Sequence, residues 1–87
     1  MGKLTREDIA DYIGEDALFA DGFDDAIIGY VQRFSTLVVL YDARKCIEIL
    51  MSEGLSEEES LEHFEYNVLG AWVGDNTPAF AYLEDYL

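Results

Sequence analysis

Basic side chains are scarce in this sequence. Its 87 residues include five Lys and Arg against 19 Asp and Glu, which gives a formal net charge of −14 at pH 7. Nucleic acids and anionic membranes are bound mainly through Lys and Arg, so a chain of this charge should be repelled by both. We therefore expect no direct binding to nucleic acid or to a membrane, and a basic macromolecule as the partner, if the chain has one.

Cysteine, histidine and proline each occur once. The single cysteine, Cys46, allows no intramolecular disulfide and no Cys/His zinc set, which suits a reducing compartment. The sequence also lacks the long apolar run of a membrane span, and its first residues lack the apolar core of a signal peptide. These absences predict a cytoplasmic protein that holds no metal or other cofactor.

Apolar side chains, in contrast, are plentiful: 51% of the residues are hydrophobic, with six Tyr, five Phe and one Trp. Such a composition favours a packed core over disorder. A chain of this length forms one domain, close to the size at which a single core is marginal without a partner chain. We expect one domain over residues 1–87, with an N-terminal helix and loop in residues 1–19 and the core in residues 20–87.

Two helices are predicted from their start and stop residues. Thr5, with Asp8 three residues later, favours a helix over residues 5–13. Asp42 can cap a second helix, which has apolar residues at helical spacing and ends at Gly54.

A third helix begins with a capping box formed by Ser56 and Glu59. Helical periodicity extends it over residues 57 to about 73, and Gly74 should end it in a left-handed cap. The residues at core spacing on this helix form one predicted buried stripe: Leu61, Phe64, Val68, Leu69 and Trp72.

β-Branched and aromatic residues mark the strands. Residues 26–33 and 36–41 predict an antiparallel hairpin that is apolar on both faces, and Gly29 indicates a bulge or a close packing point. Residues 79–83 predict a last short strand that joins the same sheet. The order is α-β-β-α-α-β, an α+β domain with a three-stranded sheet packed on a helical hairpin.

The segments DGFDDAIIGYVQRF, KCIEILM and HFEYNVLGAWVGDNTPAF together resemble a family of small acidic proteins encoded by bacteriophages and prophage-bearing bacteria. The resemblance spans roughly residues 20–80. It implies a bacterial host cytoplasm as the setting and no known reaction. Many small phage products act by binding a host protein, so the resemblance favours an interaction role by analogy.

The net charge is concentrated at the two ends of the chain. Residues 1–25 sum to −6, residues 26–52 to +1 and residues 53–87 to −9. On the third helix, glutamates form a face largely opposite the apolar stripe, which is either a solvated face or a mimic of a nucleic-acid backbone that fits a basic groove: Glu57, Glu58, Glu59, Glu62 and Glu65.

The stretch around Trp72 has two interpretations. The first places the Trp72 ring in the core, with Gly70 allowing close approach of another element. The second makes this stretch an exposed recognition corner, since Trp is enriched at interface hot spots. The corner would comprise Trp72, Asp75, Asn76 and Thr77.

Two residues are weaker candidates for chemistry. His63 lies among glutamates, but a helical zinc site needs a second His one turn away, so we expect a solvated imidazole and no metal site. Cys46 lies in the first turn of a helix and also on its apolar stripe, so we expect a buried, inert thiol.

No residues form a recognisable catalytic set, so we expect a non-enzymatic protein that binds a macromolecular partner, such as a basic host nucleic-acid-binding or defence protein. Two alternatives remain. The chain could dimerise through its apolar hairpin, residues 26–41, as a structural or self-assembling protein. It could also be a small-molecule-binding module, which would require a polar pocket.

Overall fold

The computed structural model describes residues 4–83, and these form the predicted α+β domain. None of the helices in this part of the chain is long and apolar enough to cross a membrane. The elements follow the predicted order: α1 (Arg6–Ile13), β1 (Ile27–Arg33), β2 (Thr36–Asp42), α2 (Ala43–Ser52), α3 (Glu57–His63) and β3 (Ala79–Ala81).

The helix starts are as predicted because each is determined by a few neighbouring residues. In α1, the Thr5 hydroxyl accepts the Asp8 N–H while the Asp8 carboxylate accepts the Thr5 N–H, both at 3.1 Å. Ser56 and Glu59 form the same reciprocal pair at the start of α3. The Asp42 carboxylate caps α2 by accepting the N–H groups of its first turn. Each cap satisfies backbone donors that have no partner within the helix.

The sheet is mixed, with strand order β1-β2-β3. β1 and β2 form the predicted antiparallel hairpin, and a bulge lies between Ile27 and Gly29. Gly29 has φ of 154°, which L side chains rarely adopt, and this explains a glycine at the bulge. β3 joins the other side of β2 and runs parallel to it, after the crossover through α2 and α3.

The hairpin turn has no glycine or asparagine. Phe34 and Ser35 connect the strands, and Phe34 has φ of 57° and is 95% exposed. A left-handed conformation is unfavourable for a bulky residue. We infer that the apolar strands on either side fix the register and hold Phe34 in this conformation.

The core lies where the helices pack against β2. Ile9 of α1, Cys46 of α2, Phe64 and the β2 residues Val39 and Tyr41 are all fully buried.

Three aromatic rings form a contact chain within this core. The Tyr41 ring stacks on Phe80 of β3 at 5.4 Å, and Phe80 meets the edge of Phe64 at 5.3 Å. The Tyr41 hydroxyl oxygen also accepts the N–H of Ala20 at 2.8 Å. Through these contacts one residue of the central strand ties together β3, the helical layer and the loop before β1.

The prediction of one long helix over residues 57–73 is wrong. Regular α3 ends at His63, and Phe64–Leu69 form a π-helical segment in which the Gly70 N–H bonds to the Glu65 carbonyl. A side chain on Gly70 would meet that carbonyl at 3.1 Å, so a residue without Cβ fits this point. The chain therefore leaves the helix at Gly70, and Gly74 lies in a later turn.

The predicted stripe on this helix is confirmed for two of its five residues, since Phe64 is fully buried and Val68 packs partly buried against the core. The prediction is wrong for the other three. Ser60 and Phe64, one turn apart, are the fully buried pair, while Leu61 is 43% and Leu69 45% exposed. Trp72 comes after the helical turns have ended, so it lies outside any helical stripe.

Ser60 and Ser56 offer a matched test of this packing. The Ser60 hydroxyl is buried without a hydrogen-bond partner among the described residues, whereas the Ser56 hydroxyl caps α3. We expect Ser60→Ala to leave the free energy of unfolding unchanged or raise it by about 0.5–1 kcal/mol, because it removes an unsatisfied polar group and favours the helix. Ser56→Ala should lower it by about 1 kcal/mol.

Urea unfolding of both variants measures the two changes. A loss of more than about 1 kcal/mol in Ser60→Ala would mean that the hydroxyl has a partner in solution, contrary to this packing.

Candidate functional site

The predicted glutamate face lies on the surface. All five side chains are exposed. The Glu59 carboxylate accepts the Ser56 N–H in the capping box. Its hydrogen bonds with Ser56 hold the pKa of this carboxyl below its usual value. Among residues 4–83 the other four carboxylates form no ion pair. We call them the α3 acidic face: Glu57, Glu58 and Glu62 of α3, with Glu65 of the π-helical segment that continues it.

Two of the described cations, Arg6 and Lys45, form ion pairs outside this face. Arg6 pairs with Asp21 at 3.0 Å and Asp24 at 2.9 Å, and Lys45 lies 3.9 Å from Glu48 in its own helix. Arg44 lines a surface pocket together with Glu57. Within residues 4–83 the ion pairs therefore leave the α3 acidic face unpaired, with Glu58, Glu62 and Glu65 outside that pocket.

A shallow groove runs beside this face. It is lined by Leu55, Glu59, Glu62, His63, Tyr66 and Asn67. The His63 ring nitrogen Nδ1 is 3.4 Å from the Asn67 amide nitrogen. No three His, Cys, Asp or Glu side chains within residues 4–83 come together as metal ligands.

Cys46 is buried, as predicted. Burial, and secondarily the charge of Asp42, raises the pKa of its thiol to about 12. At neutral pH the residue is therefore a protonated, inaccessible thiol and no nucleophile.

The predicted recognition corner divides into structural and exposed residues. The Thr77 side chain is buried: its hydroxyl accepts the Val73 N–H and donates to the Gly74 carbonyl. Asp75 is exposed and Asn76 half-buried. The interpretation that places Trp72 in the core is wrong, since 63% of this residue is exposed.

Arg33 of the hairpin holds this corner in place. Its guanidinium lies 4.8 Å from the centre of the Trp72 ring and donates to the backbone carbonyls of Asp75 and Thr77 at 3.0 and 2.8 Å. A charged, planar donor thus connects the hairpin to the segment that precedes β3.

The structure also contains an apolar cleft that the sequence interpretation missed. It has a volume of about 290 Å³ and opens to the surface. Its walls come from residues 18–23 and from two segments far along the chain, residues 67–73 and 77–80. The residues that line it are Leu18, Phe19, Ala20, Asp21, Phe23, Asn67, Val68, Ala71, Val73, Thr77, Pro78 and Phe80.

Aromatic residues in the loop wall of the cleft, residues 18–23, were the sequence feature that could have indicated it. Phe19 and Phe23 lie in the loop between α1 and β1, and Phe23 is buried. That loop also forms one side of the cleft, because the Tyr41 hydroxyl binds the Ala20 N–H.

Asn67 joins the cleft to the groove beside the α3 acidic face, since it lines both. An apolar concavity and an acidic one therefore share a border. This pair of adjoining concavities, with the α3 acidic face, is the candidate site.

Comparison of the chain with protein-family models, with curated proteins and with solved structures gave no match.

Arg33→Lys tests how the corner is held. Lysine keeps the charge but loses the planar stack and the fixed donor geometry, so we expect the free energy of unfolding to fall by about 1–2 kcal/mol. Trp72→Leu, which removes only the ring under the guanidinium, should cost less, about 0.5–1 kcal/mol. Urea unfolding measures both, and an Arg33→Lys protein as stable as the parent would contradict the described contacts.

Proposed function

We propose that this chain is a non-enzymatic binding protein whose partner is a macromolecule with a basic surface. The observation that carries the proposal is the α3 acidic face: four exposed carboxylates without a cation partner in the described chain. Glutamates four residues apart on a helix repel one another and weaken it by about 0.2–0.5 kcal/mol per pair. Binding a basic partner would offset that repulsion.

The charge distribution supports a protein partner rather than a nucleic acid. A net charge of −14 repels phosphate backbones and attracts the basic grooves that bind them. Mimicry of a nucleic-acid backbone is the form of recognition we propose, with a nucleic-acid-binding or defence protein as the target.

The resemblance to small acidic phage and prophage proteins supplies the biological setting of this proposal. We propose that the chain acts in the cytoplasm of a bacterial host and that its target is a host protein. A role without catalysis is consistent with the protonated, buried Cys46 and with the exposed His63, whose ring nitrogen lies 3.4 Å from the Asn67 amide nitrogen.

Affinity capture from a bacterial lysate tests the proposal. The parent chain should retain a basic protein that a triple variant, Glu58→Lys with Glu62→Lys and Glu65→Lys, does not retain. Salt at 1 M, where the Debye length is about 3 Å, should release the partner. The captured protein should have a basic groove.

A second triple variant is the matched control: Glu7→Lys, Asp11→Lys and Glu15→Lys change the net charge equally, on exposed residues in and just after α1. It should retain the partner. Equal loss in both variants would show that net charge alone matters, and equal retention would remove the α3 acidic face from recognition.

A second candidate function, self-assembly, is favoured by the exposed end of the hairpin. Tyr30 stacks on Tyr12 at 5.4 Å, and both rings are exposed, as are Phe34 and Leu37. Residues 26–41 contain no acidic side chain, so two copies could approach there with least repulsion. A mass of two chains in light scattering that persists in high salt and is lost in Tyr30→Asp would favour this alternative.

A further inference from the structure

We propose that the apolar cleft binds one apolar side chain of a basic peptide segment, and that the Lys or Arg residues beside this anchor lie along the acidic groove. The inference rests on the proposed function, since it describes how the basic partner is recognised. It adds an apolar contact, and with it specificity, to a surface that otherwise recognises its partner by charge.

The size and lining of the cleft fit a single side chain. Cavities of about 150 Å³ hold a benzene molecule, and the cleft measures about 290 Å³. Three phenylalanine rings contribute to its lining (Phe19, Phe23 and Phe80). Aromatic and branched aliphatic side chains fill such pockets at interface hot spots.

The charges around the cleft determine which residues are favoured next to the anchoring side chain in the bound peptide. Asp21 lines one edge, and Asn67 forms the border with the groove that contains Glu59 and Glu62. Two described cations lie beside residues of the lining. Arg6 lies on the Phe19 ring at 5.0 Å and is paired with both Asp21 and Asp24. Arg33 donates to the Thr77 carbonyl at 2.8 Å. The cluster of Arg6, Asp21 and Asp24 keeps a net negative charge, whereas Arg33 adds a positive charge on the Thr77 side. Cationic neighbours of the anchor are therefore favoured toward Asn67 and the groove, and anionic ones are disfavoured there.

The shared border at Asn67 favours a peptide over a small molecule. A small ligand would occupy the cleft alone, where Asp21, Asn67 and Thr77 are the polar residues of the lining. The Thr77 hydroxyl is already bonded to Val73 and Gly74. An extended peptide advances about 3.3–3.6 Å per residue, so a neighbour of the anchor reaches the adjoining groove.

The cleft is formed before binding. Tyr41 holds the Ala20 wall by a hydrogen bond and the Phe80 wall by stacking, and Phe80 contacts Phe64 at the start of the π-helical segment. Pre-formed walls reduce the entropy lost on association.

Selection from a displayed library of short random peptides, with the full chain as bait, tests the inference. Enriched peptides should carry an aromatic or branched aliphatic residue flanked by Lys or Arg. Replacing that anchor by Ala in a synthetic copy should weaken binding at least about tenfold in calorimetry. Enrichment of acidic peptides, or of none, would overturn the inference.

Two tryptophan substitutions locate the binding. Ala71→Trp adds a ring to a residue of the cleft lining, while Leu69→Trp adds the same ring two residues away, outside the lining. The selected peptide should bind Leu69→Trp as it binds the parent, and at least about tenfold more weakly to Ala71→Trp. Val73→Arg, at an exposed residue of the lining, provides a second block if Ala71→Trp does not fold.

The outcomes separate this inference from the proposed function. Peptide binding that is lost in the α3 triple variant but unchanged in Ala71→Trp and Val73→Arg would overturn the cleft as the anchor site and leave the charged face in place. Binding that is unchanged in the α3 triple variant as well would contradict both.

Discussion

The packing of Tyr41 is the constraint on which the rest of the structure depends. This residue lies fully buried on the central strand β2, stacks on Phe80 and accepts a hydrogen bond from the Ala20 N–H. Burial raises the pKa of its phenol above the ordinary value. The hydroxyl therefore stays protonated in a partly dry environment, where a bond to a backbone N–H is costly to lose.

The consequences extend to the three walls of the apolar cleft. The loop wall is held at Ala20, the β3 wall at Phe80, and the helical wall at Phe64 through its contact with Phe80. A sheet of three strands with a three-residue edge strand has few backbone hydrogen bonds to position β3. Side-chain packing around Tyr41 therefore positions the elements that border the cleft.

The division between core and surface explains how so acidic a chain folds. Most of the buried residues belong to the sheet and to the inner faces of the helices, whereas the carboxylates of the α3 acidic face are exposed. Three of the glutamates occupy the first turn of α3, where the helix dipole favours negative charge. Glu62 and Glu65 lie beyond this turn, where the helix dipole stabilises a negative charge little. We propose that binding of a basic partner offsets the repulsion between these carboxylates.

The features that the sequence predicted correctly are those that local chemistry determines. Thr5, Asp42 and Ser56 cap their helices through residues two or three positions away, and the β-branched runs pair as a hairpin. These interactions need no knowledge of the distant chain.

The features that the sequence missed depend on distant contacts or small energy differences. Periodicity extended the third helix through Trp72, but the π-helical segment changes the register after His63 and the chain leaves the helix at Gly70. Trp72 then meets Arg33, 39 positions earlier, which no local pattern indicates. The cleft could not be predicted because its walls meet only in the folded chain.

Hydrogen exchange at the Ala20 amide in a Tyr41→Phe variant tests most directly whether Tyr41 builds the site. The substitution keeps the ring and removes the acceptor, so the Ala20 amide should exchange at least about tenfold faster, beyond the shift shared by core amides such as that of Val39. Unchanged exchange at Ala20, or an equal acceleration at every core amide, would contradict the role assigned to the Tyr41 hydroxyl.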